Sequence, residues 1–387
     1  MAKLPAYIGP AAFGLKMGVI VPGSNLLAMV AAIARECHED SLLDDGDVLC
    51  ITESVLARSQ NNYVTIAEIT GEIREKLAVG PRGKIGVVFP IVSRNRFVMI
   101  MQAIAAAVPQ GEVIVQLSWP RDEVGNQIIG EDYLSSLGKE PSDTITPQEL
   151  EGYSYKHPVT QVDYIDLYRQ TIAAQGARAT IVLGNDPEYI LSFAPDGVIA
   201  ADVHNRDRTL TAIAPKCKAI TLAHLCSSPR RQAWSEWGLL GSNMSSGGKL
   251  KLAPREASAF AEKVQQEVAR LTGKKIEVLI YGDGAYKDPS TQIYELADPK
   301  PVFGATSGFA NLFREGVKYK YLVDYYHDQG QSVGEIQQLL AQKMCAGDST
   351  EGTTPRCLED VIASLADLVS GSADAGTPVV LVKGFFA

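Results

Sequence analysis

Cysteine, basic charge and long apolar runs are all scarce in this chain of 387 residues. Its six cysteines, at positions 37, 50, 217, 226, 345 and 357, include no CxxC pair and no zinc spacing. A disulfide framework is not expected in a chain of this size, and the thiols read as reduced and cytosolic. Lysine and arginine number 36 against 45 aspartate and glutamate, leaving a net charge of −9. That balance argues against a nucleic-acid partner, whose binding depends on cations that neutralise phosphates. The acidity is spread along the chain and reads as solubility. No apolar run approaches the roughly 18 residues of a membrane-spanning helix, and the N-terminus lacks a basic region followed by an apolar core. The expectation is a cytoplasmic protein with no membrane partner.

What is present is ordinary globular material, 46% hydrophobic and 21% charged. The length exceeds that of one compact domain, so two or three lobes are expected. The pattern predicts a strand at Met17–Val21, a helix from about Asn25 to Cys37, and strands at Val48–Thr52 and Lys84–Pro90. From about residue 112 strands and helices alternate: Val113–Leu117, Ala179–Leu183, Gly197–Ala201 and Ala219–Leu222 are short apolar strands. A helical face formed by Tyr164, Leu167, Tyr168 and Ile172 lies among them. This is the signature of βαβ units and a parallel sheet. Pro254–Gly273 carries a clear helical period with glycine at its close, and a helix is expected over Val333–Met344. Thr353-Thr354-Pro355 starts another helix before the final strand, Val379–Val382.

Four constellations carry candidate chemistry. The first is Ile276–Pro289, a buried strand running into Gly282-Asp283-Gly284. Asp283 stands at the carboxyl end of a strand, with Asp288 close behind. Such carboxylates suit a hard divalent cation, although Asp–Gly is also plain turn chemistry. A second glycine-rich loop, Ser370–Pro378, contains Gly371 and Asp374 and precedes the last strand in a similar way. The second constellation is a set of strand ends, Asn185, Asp186, Asp202, His204 and Arg206. Parallel neighbours would project these into one crevice, where Asp202 and His204 could act as acid and base; a capping aspartate and a surface histidine are the bland alternative. The third is basic: Arg58, Arg94 and Arg96 offer guanidinium forks to phosphate or carboxylate, or form solvated turns. His157 is a weaker candidate for substrate contact. The fourth, Gly238–Lys249, superficially resembles a phosphate-binding loop but lacks the required glycine, and Leu250 follows the lysine.

Three blocks in order, Met17–Gln60 with Asp45-Gly46-Asp47, Trp237–Thr306 with Leu271-Thr272-Gly273-Lys274, and Leu365–Phe385, resemble the coenzyme F420 γ-glutamyl ligases. His157-Pro158, Gly184–Pro187, Tyr281–Pro289 and Gly352–Pro355 look like a longer bacterial branch. The resemblance implies an α+β fold, a γ-glutamyl-ligase-like core of mixed sheets with an inserted Rossmann-like α/β lobe. The core is expected at 1–111, 232–308 and 355–387, the lobe at 112–231 and a helical excursion at 309–354. It also implies a homodimer and an amide ligase that uses GTP or ATP with Mg2+ or Mn2+. Such an enzyme would join a small-molecule acid to a glutamate-like amino acid through an acyl phosphate. Ser54, Arg58 (where the family has lysine) and Asn243 fall at its nucleotide contacts, with Gly371 and Asp374 near an acidic position now held by Ser372. Asp283 and Asp288 are the metal ligands expected from the strand-end reading, not family positions. Leu240 stands where the family has a metal-binding aspartate, and Gly282 occupies the place of the second, one residue before Asp283. Asp202 or His204 would then supply the missing ligand. Arg94, Arg96, His157, Asn185 and Asp186 are the expected substrate contacts. A metal-dependent hydrolase of a phosphate ester or amide, and an inactive small-molecule binder, are the alternatives.

Overall fold

The computed structural model describes residues 7–157, 161–282, 286–287, 294–295, 298–314, 318–345, 356–370 and 376–386. Its architecture is mixed α and β with several sheets, consistent with the α+β class. One sheet is mixed, in the order β1-β17-β2-β11-β14, from β1 (Ala11–Leu15), β2 (Val48–Thr52), β11 (Glu277–Tyr281), β14 (Val302–Ala305) and β17 (Val379–Lys383). Only β2 and β11 run parallel; the other pairs are antiparallel. Strand residues alternate between two cores, as the period of two requires. Leu49, Ile51, Val278, Ile280, Val379 and Leu381 face α1 (Leu26–Glu39) and α8 (Ala257–Thr272). Val48, Cys50, Leu279, Tyr281, Val380 and Val382 face α11 (Leu358–Ser370). The strand expected at Met17–Val21 lies instead at Ala11–Leu15, paired with the last strand. Gly14 permits this, because a Cβ there would sit 3.0 Å from Thr377.

The second large sheet is wholly parallel, in the order β6-β5-β4-β7-β8. Its strands are β4 (Lys84–Val88), β5 (Glu112–Leu117), β6 (Arg178–Leu183), β7 (Gly197–Ala200) and β8 (Ala219–Thr221). Val113, Val115 and Leu117 pack on the side of α3 (Ile66–Leu77), α4 (Val98–Ala107) and α6 (Tyr164–Ala173). Ile114 faces Ile190, Val198 and Ile213, the last on α7 (Arg206–Ile213). Because β4 is the central strand, this sheet begins upstream of the boundary expected at residue 112. The sequence pattern missed α3, whose Thr65–Glu68 capping box fixes its start, so the strand–helix alternation was recognised only from about residue 112.

A small sheet, β3 (Tyr63–Thr65), β10 (Lys249–Lys251) and β9 (Asn243–Ser245), accompanies α2 (Glu53–Ser59). Two-residue ladders pair β12 (Tyr286–Lys287) with β13 (Tyr294–Glu295), and β15 (Phe313–Arg314) with β16 (Arg356–Cys357). The remaining helices are α5 (Glu131–Leu137), α9 (Tyr319–Asp328) and α10 (Val333–Cys345). Among the described residues no helix is long and apolar enough to cross a membrane.

Candidate functional site

Three places gather the polar groups. The first is a cavity of about 430 Å3 between the end of α2 and the β9–β10 hairpin, lined by Arg58, Tyr63, Ser245, Ser246, Gly247 and Lys249 among others. The hairpin turns through Gly247 and Gly248, both at positive φ (71° and 67°), which only glycine adopts without strain. Neither Arg58 nor Lys249 makes an ion pair among the described residues, so two cations face one glycine-rich turn. That combination suits a polyphosphate, held by guanidinium, ammonium, hydroxyls and backbone N–H groups without a Walker sequence. Ser54 lies one helical turn before Arg58 and is half-buried; Asn243 opens β9 opposite Lys251. Lys249 and Tyr63 were missed because the phosphate-loop pattern around Gly238–Lys249 fails, while a basic residue after Gly-Gly between two short strands was the available signal.

The second place is the seam between the hairpin and the mixed sheet. Lys251 Nζ donates to both Glu53 carboxylate oxygens, at 2.7 and 3.0 Å, with both residues buried. Arg96 Nη1 donates to Asp298 Oδ1 at 2.9 Å, and Asp298 is buried too. Burial pushes the Glu53 carboxyl up, with Lys251 opposing and Asp298 reinforcing the shift. Arg96, expected to contact substrate, is thus placed on Asp298, while Arg94 on the same loop is exposed. The loop is tied down by Met244 N–H donating to the Asn95 carbonyl at 2.7 Å.

Gly282 sits beside this seam, because Tyr281 and Thr52 are register partners and Gly282 and Glu53 follow them. A Cβ on Gly282 would collide with Asp298 Oδ2 and come within 2.5 Å of Phe303. Leu240 is buried and apolar. The two positions where the resemblance puts acidic metal ligands therefore hold a leucine and a glycine whose empty side-chain space Asp298 fills. Among the described residues no three His, Cys, Asp or Glu side chains converge as a metal would need, and Glu53 and Asp298 each have their own cation. The described residues do not fit a metal. Asp283, Asp288, Gly371 and Asp374 lie outside the described residues.

The third place is the carboxyl edge of the parallel sheet. A cavity of about 490 Å3 opens there, lined by Asn185, Asp186, Asp202, Arg121, Glu123 and Arg208 among others. The expected crevice therefore brings together Asn185, Asp186 and Asp202. His204 is exposed and does not line it. The side chain of Asn185 is committed to the backbone: its Oδ1 accepts from Trp119 N–H at 3.0 Å, and its Nδ2 donates to the Trp119 and Pro141 carbonyls. Asp186 caps the 3-10 turn Pro187–Phe193. Glu123 accepts from the backbone N–H groups of Val203, His204 and Asn205, at the N-terminus of α7. Asp202 is 1% exposed; its Oδ2 accepts from Thr209 Oγ1 at 2.8 Å, and its Oδ1 has no partner. Burial, with Glu123 adding repulsion, pushes the Asp202 carboxyl up to about 6. Asp122, buried too, is also pushed up to about 6 by desolvation, against hydrogen bonds from Val92 and Asn126. His157 is buried elsewhere, its backbone bonded to Val162 and Gln161.

Residues 14–384 match the family described as F420-0:Gamma-glutamyl ligase. A curated relative, the coenzyme F420:L-glutamate ligase of Methanocaldococcus jannaschii, is 26% identical over 135 residues, covering 35% of this chain and 41% of that protein. The aligned part thus spans less than half the length of that relative.

Proposed function

Because the chain belongs to the F420-0:gamma-glutamyl ligase family, we propose that it is a nucleotide-dependent amide ligase of the γ-glutamyl type. The observation that carries this reading is the family match across nearly the whole chain, 14–384. The cationic cavity at Arg58 and Lys249 supports it, since it offers a seat for the phosphates of GTP or ATP. In the proposed reaction an oxygen of the substrate carboxylate attacks the γ-phosphorus, forming an acyl phosphate and releasing the nucleoside diphosphate. The amine of a glutamate-like amino acid then attacks the acyl carbon, expels inorganic phosphate and loses a proton to leave the amide. Arg58 and Lys249 would neutralise the polyphosphate, and Ser54 and Asn243 would orient it from the adjoining elements. Asp283 and Asp288, outside the described residues, are the proposed ligands of Mg2+ or Mn2+, which would add charge neutralisation at the phosphates. A homodimer is proposed through β1, one of the two outer strands of the mixed sheet, where Phe13 is exposed.

One observation favours a second reading, a binder without turnover: buried Leu240 and Gly282 stand at the implied metal positions. The two separate by experiment. Purified protein is incubated with GTP or ATP, Mg2+ or Mn2+, a panel of small acids and L-glutamate, and nucleoside diphosphate release is followed. Release that requires both acid and amine, with an amide detected by mass, is the expected outcome. Nucleotide binding without release for any pair favours the binder, and no nucleotide binding at millimolar concentration overturns the ligase.

A further inference from the structure

We propose that the cavity at the carboxyl edge of the parallel sheet is a separate binding site for a small primary amine that also carries an anionic group. The ammonium would donate to Asp202, and Arg121 and Arg208 would hold the anion. This does not rest on the ligase reading.

The groups available to a ligand are few, which makes the assignment narrow. Asn185, Asp186 and Glu123 are bonded to backbone, as described above. Asp122 accepts from Val92 N–H and from the backbone and side chain of Asn126. Glu188, also in the lining, is paired with Lys216 at 2.6 Å, and the one bond of Asp186 to backbone engages only its Oδ1, on an exposed side chain. The one buried side-chain atom of the lining left without a partner among the described residues is Asp202 Oδ1, and two arginines of the lining, Arg121 and Arg208, make no ion pair among those residues. Asp202 is buried whereas Arg121 and Arg208 are exposed, so an acceptor lies at the floor of the cavity and two cations lie at its mouth. A buried carboxylate oxygen without a partner is costly, and a ligand donor would relieve that cost. A hydroxyl would supply the hydrogen bond alone. An ammonium also supplies the charge that burial and neighbouring Glu123 make necessary. The guanidiniums at the mouth suit a carboxylate or phosphonate on the same molecule. About 490 Å3 is room for a metabolite of amino-acid size.

The test is calorimetric titration of the full chain at neutral pH. Glycine, β-alanine and L-glutamate serve as zwitterions, and acetate and ethylamine as the two half-ligands. At least one zwitterion should bind, and about tenfold or more tighter than either half. Arg208→Ala, on an exposed helix position, should weaken it roughly tenfold, and Asp202→Asn roughly thirtyfold or more. Cooperative thermal unfolding at or above the parent's melting temperature would show that both variants fold. Acetate binding as tightly as the zwitterions would make this an anion site and overturn the proposal. So would zwitterion binding that survives both substitutions, or no binding of any probe at millimolar concentration. Nucleotide-induced stabilisation should be unchanged in Arg208→Ala, which separates failure here from failure of the ligase reading.

Discussion

Lys251 on β10 and Glu53 at the start of α2 form a two-point ion pair, Nζ to Oε1 at 2.7 Å and to Oε2 at 3.0 Å, that joins the hairpin to the mixed sheet. Both side chains are only 8% exposed. Removing one partner from such a pair leaves a buried charge uncompensated, which costs about 3–5 kcal/mol. Lys251→Met should therefore lose about that much stability in urea denaturation. Lys251→Met combined with Glu53→Leu should recover most of it, because neither charge then remains. A single variant that is no less stable than the parent, or a double variant no better than the single, would count against this account.

The seam also explains what could be read from the chain and what could not. Strands such as Val48–Thr52, Glu112–Leu117 and Val379–Lys383 were legible because a strand buried on both faces is a continuous apolar run. Asn185, Asp186 and Asp202 were legible as one crevice because parallel strands end on a common edge. The pairing of Arg96 with Asp298 was not, since the two are 202 positions apart and only tertiary packing joins them. Arg96 was therefore read as a ligand contact. The Glu53–Lys251 pair, 198 positions apart, was missed for the same reason. Strand β1 was missed because Ala11–Leu15 has little β propensity and is ordered mainly by its partner β17.

Asp298 occupies the space that any side chain on Gly282 would need. Gly282→Ala should cost about 1–3 kcal/mol, as overpacking does in a filled interior. Gly282→Asp should cost more, because it would add a second carboxylate and push Asp298 away from Arg96. Chemical denaturation of the two variants measures both. A neutral Gly282→Ala would mean that Asp298 and Phe303 can move aside at little cost.

The raised Asp202 carboxyl makes a pH-dependent prediction. In the unfolded chain it ionises near its ordinary value of 3.8, and in the folded chain near 6. Between those values the folded state holds a proton that the unfolded state has released, so stability falls as pH rises through the window. The penalty is complete above about pH 6 and amounts to roughly 2–3 kcal/mol at about 1.4 kcal/mol per pH unit. Glu123 and Arg206 face this carboxyl with opposite effects, and Thr209 donates to it. Asp202→Asn should be more stable than the parent at pH 7.5 and nearly equal to it at pH 4. Asp122, with a carboxyl raised to about 6 as well, should leave a residual slope in the variant. Equal loss of stability at both pH values would show that Asp202 is held by contacts its amide cannot replace.

Arg58 and Lys249 face one cavity from different elements, α2 and the β9–β10 hairpin. If they hold a polyphosphate, each supplies a charge-assisted contact worth about 1.5–3 kcal/mol. Arg58→Ala or Lys249→Ala should then weaken GTP or ATP binding by roughly tenfold or more, and the melting-temperature rise at fixed nucleotide should shrink accordingly. Because both side chains are exposed, stability without nucleotide should change little. Rising salt should weaken nucleotide binding in the parent and do so less steeply in either variant. Titrations at low and high salt check this directly. Unchanged nucleotide affinity in both variants would move the phosphate site away from this hairpin, and the orienting roles proposed for Ser54 and Asn243 would go with it.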